Sequence, residues 1–277
     1  MILSVTDQIF TAQAQAQEFH SMHLEMCRGF AISGYGSYYV VKNMIISNTG
    51  NAGVQISQCH FGCQIVNSTF YELGQGGLNI GGGVRAYLNA TNTLIMNNTM
   101  FNFTRIGKCY RPGVNILGGV GYTITHNEIY SADHSAIVYK GNYHDISYNK
   151  IYDVCKIVGD AGAIYSGRDW TFRGNTIRYN LIAKSRGPGL YGTTCLYLDD
   201  RYSSAEVYGN IFYDCYRGIQ VGGGRDNHVF NNIFVNNTIS LQVDWRVNTT
   251  DMYLKMYSNL MAVPYQNSFW SKAFPNW

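Results

Sequence analysis

The chain has 277 residues, of which 13% are charged, with 30 glycines, 23 tyrosines and 26 asparagines. That is about half the ~25% charge of an ordinary soluble domain; few charges and many turn-formers point to strands and tight turns instead of helices. The net charge of +3 is spread without a Lys/Arg run, which argues against nucleic acid as a partner. No stretch reaches the ~18 apolar residues of a membrane span.

In chain order, residues 1–30 show the weakest pattern and read as an N-terminal cap or truncated coil, with a short helix possible in TAQAQAQEFHSMHLEM. No secretory signal is visible there. From 31 to 246 one unit recurs: an Asn, then a residue, then apolar and aromatic or aliphatic positions. It begins at Asn43, Asn67, Asn98, Asn127, Asn149, Asn175, Asn210 and Asn232, with a minimum spacing near 22 residues and longer insertions between some copies.

A short alternating strand precedes each Asn, as at Tyr122 to Thr125, and a second follows about a dozen residues later, as at Val114 to Ile116 and Leu196 to Leu198. Alternation places one residue inward and the next outward. Stacked asparagines can pair with one another and with turn backbone. These features predict an all-β, right-handed parallel β-helix of about eight to ten coils, the hand following the preference of parallel crossovers. Residues 247–277 read as a C-terminal coil or tail.

The seven cysteines lack a CxxC pair, which predicts buried free thiols and neither a zinc site nor a disulfide framework. Six N-x-S/T sequons, at Asn67, Asn89, Asn97, Asn102, Asn236 and Asn248, favour an extracellular or secretory setting.

Candidate chemistry gathers on successive coils. Gly167, Arg168 and Asp169 align with Gly224, Arg225 and Asp226, and either Arg-Asp turn can simply brace itself. Alignment of the second strands places Arg111, His134 and Asp160 along one strip, because neighbouring strands lie ~4.8 Å apart. Tyr197 leads into Asp199 and Asp200 at a strand end, after the longest insertion, Lys184 to Thr194. Carboxylates on adjacent coils would stand close to the ~5–5.5 Å used by retaining glycosidases, and an Asp ladder or calcium site is an equal alternative. Tyr139, Tyr165, Trp170 and Tyr197 are the outward aromatic candidates for stacking on sugar faces.

The segments YRPG (110–113), DHSAIV (133–138), GDAGAIYSGRDW (159–170), YLDD (197–200) and GGGRDN (222–227), in this order, resemble the β-helix module of glycoside hydrolase family 141, which includes α-L-fucosidase and xylanase activities. The resemblance spans about residues 30 to 245. It implies retaining hydrolysis by two carboxylates, Asp160 and Asp200, with Asp199 as the substitute. In that setting Arg111, His134 and Arg168 hold sugar hydroxyls or orient a carboxylate. With Tyr165, Tyr197 and Arg225 they make up the expected binding set for an oligosaccharide or polysaccharide, and a monomer without cofactor or metal is expected. A polysaccharide lyase or epimerase, or a non-catalytic glycan-binding module, are the competing readings.

Overall fold

The computed structural model describes residues 6–189, 192–244, 254–262 and 269–271. Each coil contributes one short strand to each of three parallel sheets. Sheet A has eleven strands, from Phe10–Ala12 to Phe269–Ser271. Sheet B has ten, from Glu18–His20 to Leu254–Tyr257, and sheet C ten, from His23–Cys27 to Leu260–Ala262. The architecture is the expected right-handed parallel β-helix, with three strands per coil where the sequence suggested two. The missed strand is sheet C, the segment that directly follows the repeat Asn, as in Thr99–Phe101 and Glu128–Tyr130. Three residues are too few for alternation to be legible.

The possible helix in residues 11–26 is also corrected. The segment holds Glu18–His20 and His23–Cys27, with Phe19, Leu24 and Cys27 buried against the next coil. Alternation at Phe19 and Leu24 therefore wins over the helix propensity of the Ala-Gln run.

Inward side chains stack coil on coil into continuous columns: Ile65, Ile95, Ile124, Ile146 and Ile177 in sheet B, and Phe70, Met100, Ile129, Ile151 and Ile182 in sheet C, each 0 to 1% exposed. Each such side chain contributes roughly 1.5–3 kcal/mol of burial.

The corner from sheet B to sheet C explains the asparagines. Its first residue is left-handed, at Asn43, Asn67, Asn97, His126, Tyr148 and Tyr179, with φ between 52 and 56°. The next residue faces inward. There Asn127 Oδ1 accepts the Asn98 backbone N–H at 3.0 Å, and Asn149 and Asn180 repeat the bond one coil further on each time. Asn43 and Asn67 thus serve as left-handed turn residues, which Asn tolerates. Asn175 holds the corner from sheet A to sheet B by accepting from His144 N–H, and Asn180 is the true ladder member.

Two disulfides, Cys59–Cys63 and Cys195–Cys215, correct the expectation of free thiols; Cys27, Cys109 and Cys155 remain free. The first closes a single corner, and the second joins residues of consecutive coils that only the winding brings together.

Candidate functional site

One row of outward side chains runs along sheet A in strict register: Ser33, Gln55, Asn79, Asn115, Val138, Tyr165, Tyr197, Gln220 and Gln242. As far as Tyr165 these residues are half-buried. Beyond it they are covered: Tyr197 is 1% exposed, Gln220 6% and Gln242 5%. A groove of about 360 Å³ lies over the middle of the row, lined by Tyr110, Asn115, Val138, Lys140, Tyr165, Arg168, Asp169 and Phe172.

Two loop excursions wall it. On the side towards sheet B, Arg85 leaves the short 3-10 turn Arg85–Tyr87 and reaches across several coils. Its guanidinium donates to Asn142 Oδ1 at 2.9 Å and Thr171 Oγ1 at 2.7 Å, lies 3.5 Å from Asp169 Oδ2, and covers the Phe172 ring at 4.6 Å. Burial alone would raise the Asp169 carboxyl, but hydrogen bonds from Thr171 and the Arg85 charge outweigh it and hold the group below its ordinary value. On the opposite side Tyr110 stands 57% exposed, its ring against His134 at 5.1 Å.

At the end of the open row, Tyr165 Oη donates to Asp199 Oδ2 at 2.8 Å, and the Asp200 backbone N–H donates to Asp199 Oδ1 at 2.8 Å. Burial and then the Asp199 hydrogen bond push the Tyr165 phenol well above its ordinary value, so it stays a proton donor to that carboxylate. Asp199 is buried, while Asp200 is partly exposed, with Arg168 Nε 3.7 Å from its Oδ2. Left-handed residues mark the corners along the whole chain; Arg168 and Arg201, with φ of 69 and 63°, follow that pattern, and Asp200, with φ of 21°, departs from it. A Cβ on Gly167 would fall 2.6 Å from Asp199 Cβ, so the turn can pass only with glycine there.

The structure gathers some of the sequence candidates and disperses others. Tyr165, Arg168, Tyr197, Asp199 and Asp200 meet, with the Tyr197 ring edge-on to Tyr165 at 5.5 Å. Asp160 does not join them. It is exposed and precedes the strand Gly162–Ser166, whereas Asp199 and Asp200 follow Thr194–Leu198. Because Thr194 N–H bonds to Ala161 O and Arg168 N–H to Asp200 O, Asp160 and Asp200 lie beyond opposite ends of two neighbouring strands. Asp200 lies level with Arg168, eight residues on from Asp160, and at ~3.3 Å per residue that is about 25 Å, not the ~5 Å expected of an adjacent-coil pair.

Arg111 turns back to Gln75 Oε1 at 2.8 Å and leaves the groove. His134 is buried; loss of solvent lowers it to about 4, so it is neutral at physiological pH and supports Tyr110 instead of facing a ligand. Arg225 pairs with its neighbour Asp226 at 3.3 Å, the self-bracing alternative, whereas Arg168 and Asp169 each take partners outside their own turn. Tyr139 faces the core, fully buried, with its hydroxyl on Tyr202 Oη at 3.2 Å. Trp170 is 59% exposed beneath Arg201. Leu190 and Tyr191 of the long insertion lie outside the described residues.

Sequence reasoning missed Asn115, Val138, Lys140 and Phe172 in the groove and Arg85 on its wall; the only signal for Arg85 was the long spacing from Asn67 to Asn98. Among the described residues, no group of three or more His, Cys, Asp or Glu is placed to hold a metal ion, and no helix is long and apolar enough to cross a membrane.

The family model "Right handed beta helix region" matches residues 7–177 and 97–253. It describes the β-helix in general and gives no support to glycoside hydrolase family 141 in particular. No curated protein and no solved structure matches the chain.

Proposed function

This chain belongs to the right-handed β-helix family, a fold compatible with carbohydrate-active enzymes, and from that premise we propose that it hydrolyses a glycosidic bond in the groove on sheet A. The observation that carries the reading is the buried Asp199, pinned by Tyr165 and the Asp200 amide where the open row ends, with a second carboxylate adjacent in the chain. Glycoside hydrolysis needs one carboxyl to protonate the departing oxygen and another to attack the anomeric carbon or direct a water to it. In this reading Asp199 and Asp200 take those two roles in place of Asp160. Tyr110 offers an exposed ring to a sugar face, and Asn115 and Lys140 offer hydrogen bonds to its hydroxyls.

The test is release of nitrophenol from a panel of glycosides, α-L-fucoside and β-xyloside foremost, by wild type, Asp199→Asn and Asp200→Asn, with circular dichroism to confirm folding. Release by wild type and loss in both folded variants supports hydrolysis; retained release in Asp199→Asn sinks this assignment. A second reading, β-elimination on an acidic sugar, is favoured by Lys140 and Arg168 in the groove and would show as ultraviolet absorbance of an unsaturated product. Glycan retention with no product of either kind would mean a binding module. Two disulfides support the extracellular or secretory setting, since such bonds persist in oxidising compartments.

A further inference from the structure

We infer that the groove is a one-ended track: a linear glycan lies along the helix axis with its terminal unit at Tyr165 and the remainder running towards the N-terminal coils. The enzyme then removes terminal units and does not cut internally. This rests on the carbohydrate-processing reading of the same groove and assigns its mode of action.

Parallel strands repeat every ~4.8 Å, close to the advance of one pyranose unit in an extended chain, so each coil presents one floor side chain per sugar. From Tyr165 towards the N-terminus that floor is Val138, Asn115 and Asn79, all half-buried and in register. Val138 offers an apolar contact. Asn115 Nδ2 donates to Asn79 Oδ1 at 3.0 Å, which fixes both amides and turns the Asn79 NH2 and the Asn115 carbonyl into an oriented donor and acceptor for sugar hydroxyls.

In the other direction the floor is closed. Gln220 Oε1 accepts from Thr194 Oγ1 at 2.9 Å, and Gln220 and Gln242 both donate to Asp244, at 2.7 and 2.8 Å. Arg217 Nε donates to Gln242 Oε1 at 2.6 Å. A buried polar network is stable only when its members are paired, and these pair within the protein, so they present no subsite to a sugar. The bond between the terminal sugar and the next unit therefore meets the carboxylates at the closed end. Water adds its oxygen to the anomeric carbon, the C–O bond breaks, and the proton passes to the departing oxygen.

The experiment uses xylo-, cello-, fuco- and galacturono-oligosaccharides from dimer to hexamer, each carrying a bulky fluorophore on one end or the other. Their binding is measured on Asp199→Asn and their cleavage on wild type. Expected are affinity that rises up to the tetramer, loss of binding when the label sits on one end but not the other, products one unit shorter, and an Asn79→Ala variant about tenfold weaker on the tetramer. Asn79→Ala should leave the dimer unchanged. Binding that tolerates a label on either end, affinity independent of length, or early fragments of intermediate size overturns the track. End-selective binding without cleavage sustains the track and sinks hydrolysis, internal cleavage does the reverse, and neither binding nor cleavage sinks both.

Discussion

The two halves of sheet A's outer face carry similar residues and do different work. Gln55 and Gln220 occupy the same register position, yet the first is half-buried in an open row and the second is sealed in a hydrogen-bonded network with Asp244. The strand Val54–Ser57 and the first three residues of Leu78–Gly82 alternate buried and half-buried, whereas in Thr194–Leu198 every residue is buried. A solenoid repeats its backbone but not its surroundings. What each coil can bind is decided by the loops laid beside it. The candidate site sits at the boundary, where Tyr165 is the last open position and Asp199 lies just beneath.

The largest expected effect breaks that boundary chemically. Asp199→Asn keeps the shape of the side chain and removes its charge, and it should lower turnover more than about 10³-fold, while Asp160→Asn at the far end of the strand should stay within about threefold. Comparable losses in the two variants, measured on the same glycoside, would show that the boundary is not where the reaction occurs.

The next effect compares the halves through their disulfides. Cys195–Cys215 spans 20 residues in the closed half and Cys59–Cys63 spans 4 in the open half. Loop-closure entropy then predicts that replacing the first pair by alanine costs about 3 kcal/mol and the second about 2 kcal/mol. Urea midpoints of the two double variants check the order. Equal or reversed losses would mean that native-state packing at the cysteines outweighs chain entropy.

A smaller change sharpens the junction itself. Tyr165→Phe removes one hydrogen bond from a buried carboxylate and keeps the ring against Tyr197. About a tenfold fall in kcat/KM is expected, the scale of one bond to a charged group. An unchanged rate, with a crystal structure showing Asp199 still in place, would assign Tyr165 to packing alone.

How much of this was legible follows from the same contrast. The winding could be read because period-two alternation and recurring Asn are local, and a side chain such as Ile146 needs only its own strand to be placed. The sheet C strands escaped because Thr99–Phe101 and its neighbours are too short to alternate. Coil-by-coil alignment put Asp160 and Asp200 on neighbouring turns correctly, but alignment carries no information on which end of a strand a residue occupies. Arg85 on Thr171 and Asp169 is a contact across some 86 residues, fixed by loop direction and not by spacing. The sealing of Gln220 and Gln242 depends on Arg217 and Asp244 arriving from other parts of the row.

The smallest effect is acid sensitivity of the open half's walls. His134 and His144 are both lowered to about 4, chiefly by burial. His144 Nδ1 accepts the Tyr122 N–H at 3.2 Å and its Nε2 lies 3.1 Å from the Lys140 carbonyl, a neutral tautomer that anchors a groove residue. The folded state thus binds protons less readily than the unfolded chain, whose imidazoles titrate near ~6.5. The stability these groups contribute is complete above that value and is lost as pH falls towards 4, at about 1 kcal/mol per histidine for each pH unit inside the window. In the closed half, among the described residues, there is no buried histidine. His144→Gln retains a donor and an acceptor without a titration, and should flatten the fall in unfolding free energy between pH 6 and 5, measured by urea titration, by about 1 kcal/mol. An unaltered slope would place the acid response elsewhere and leave the two halves alike in pH, different only in what covers them.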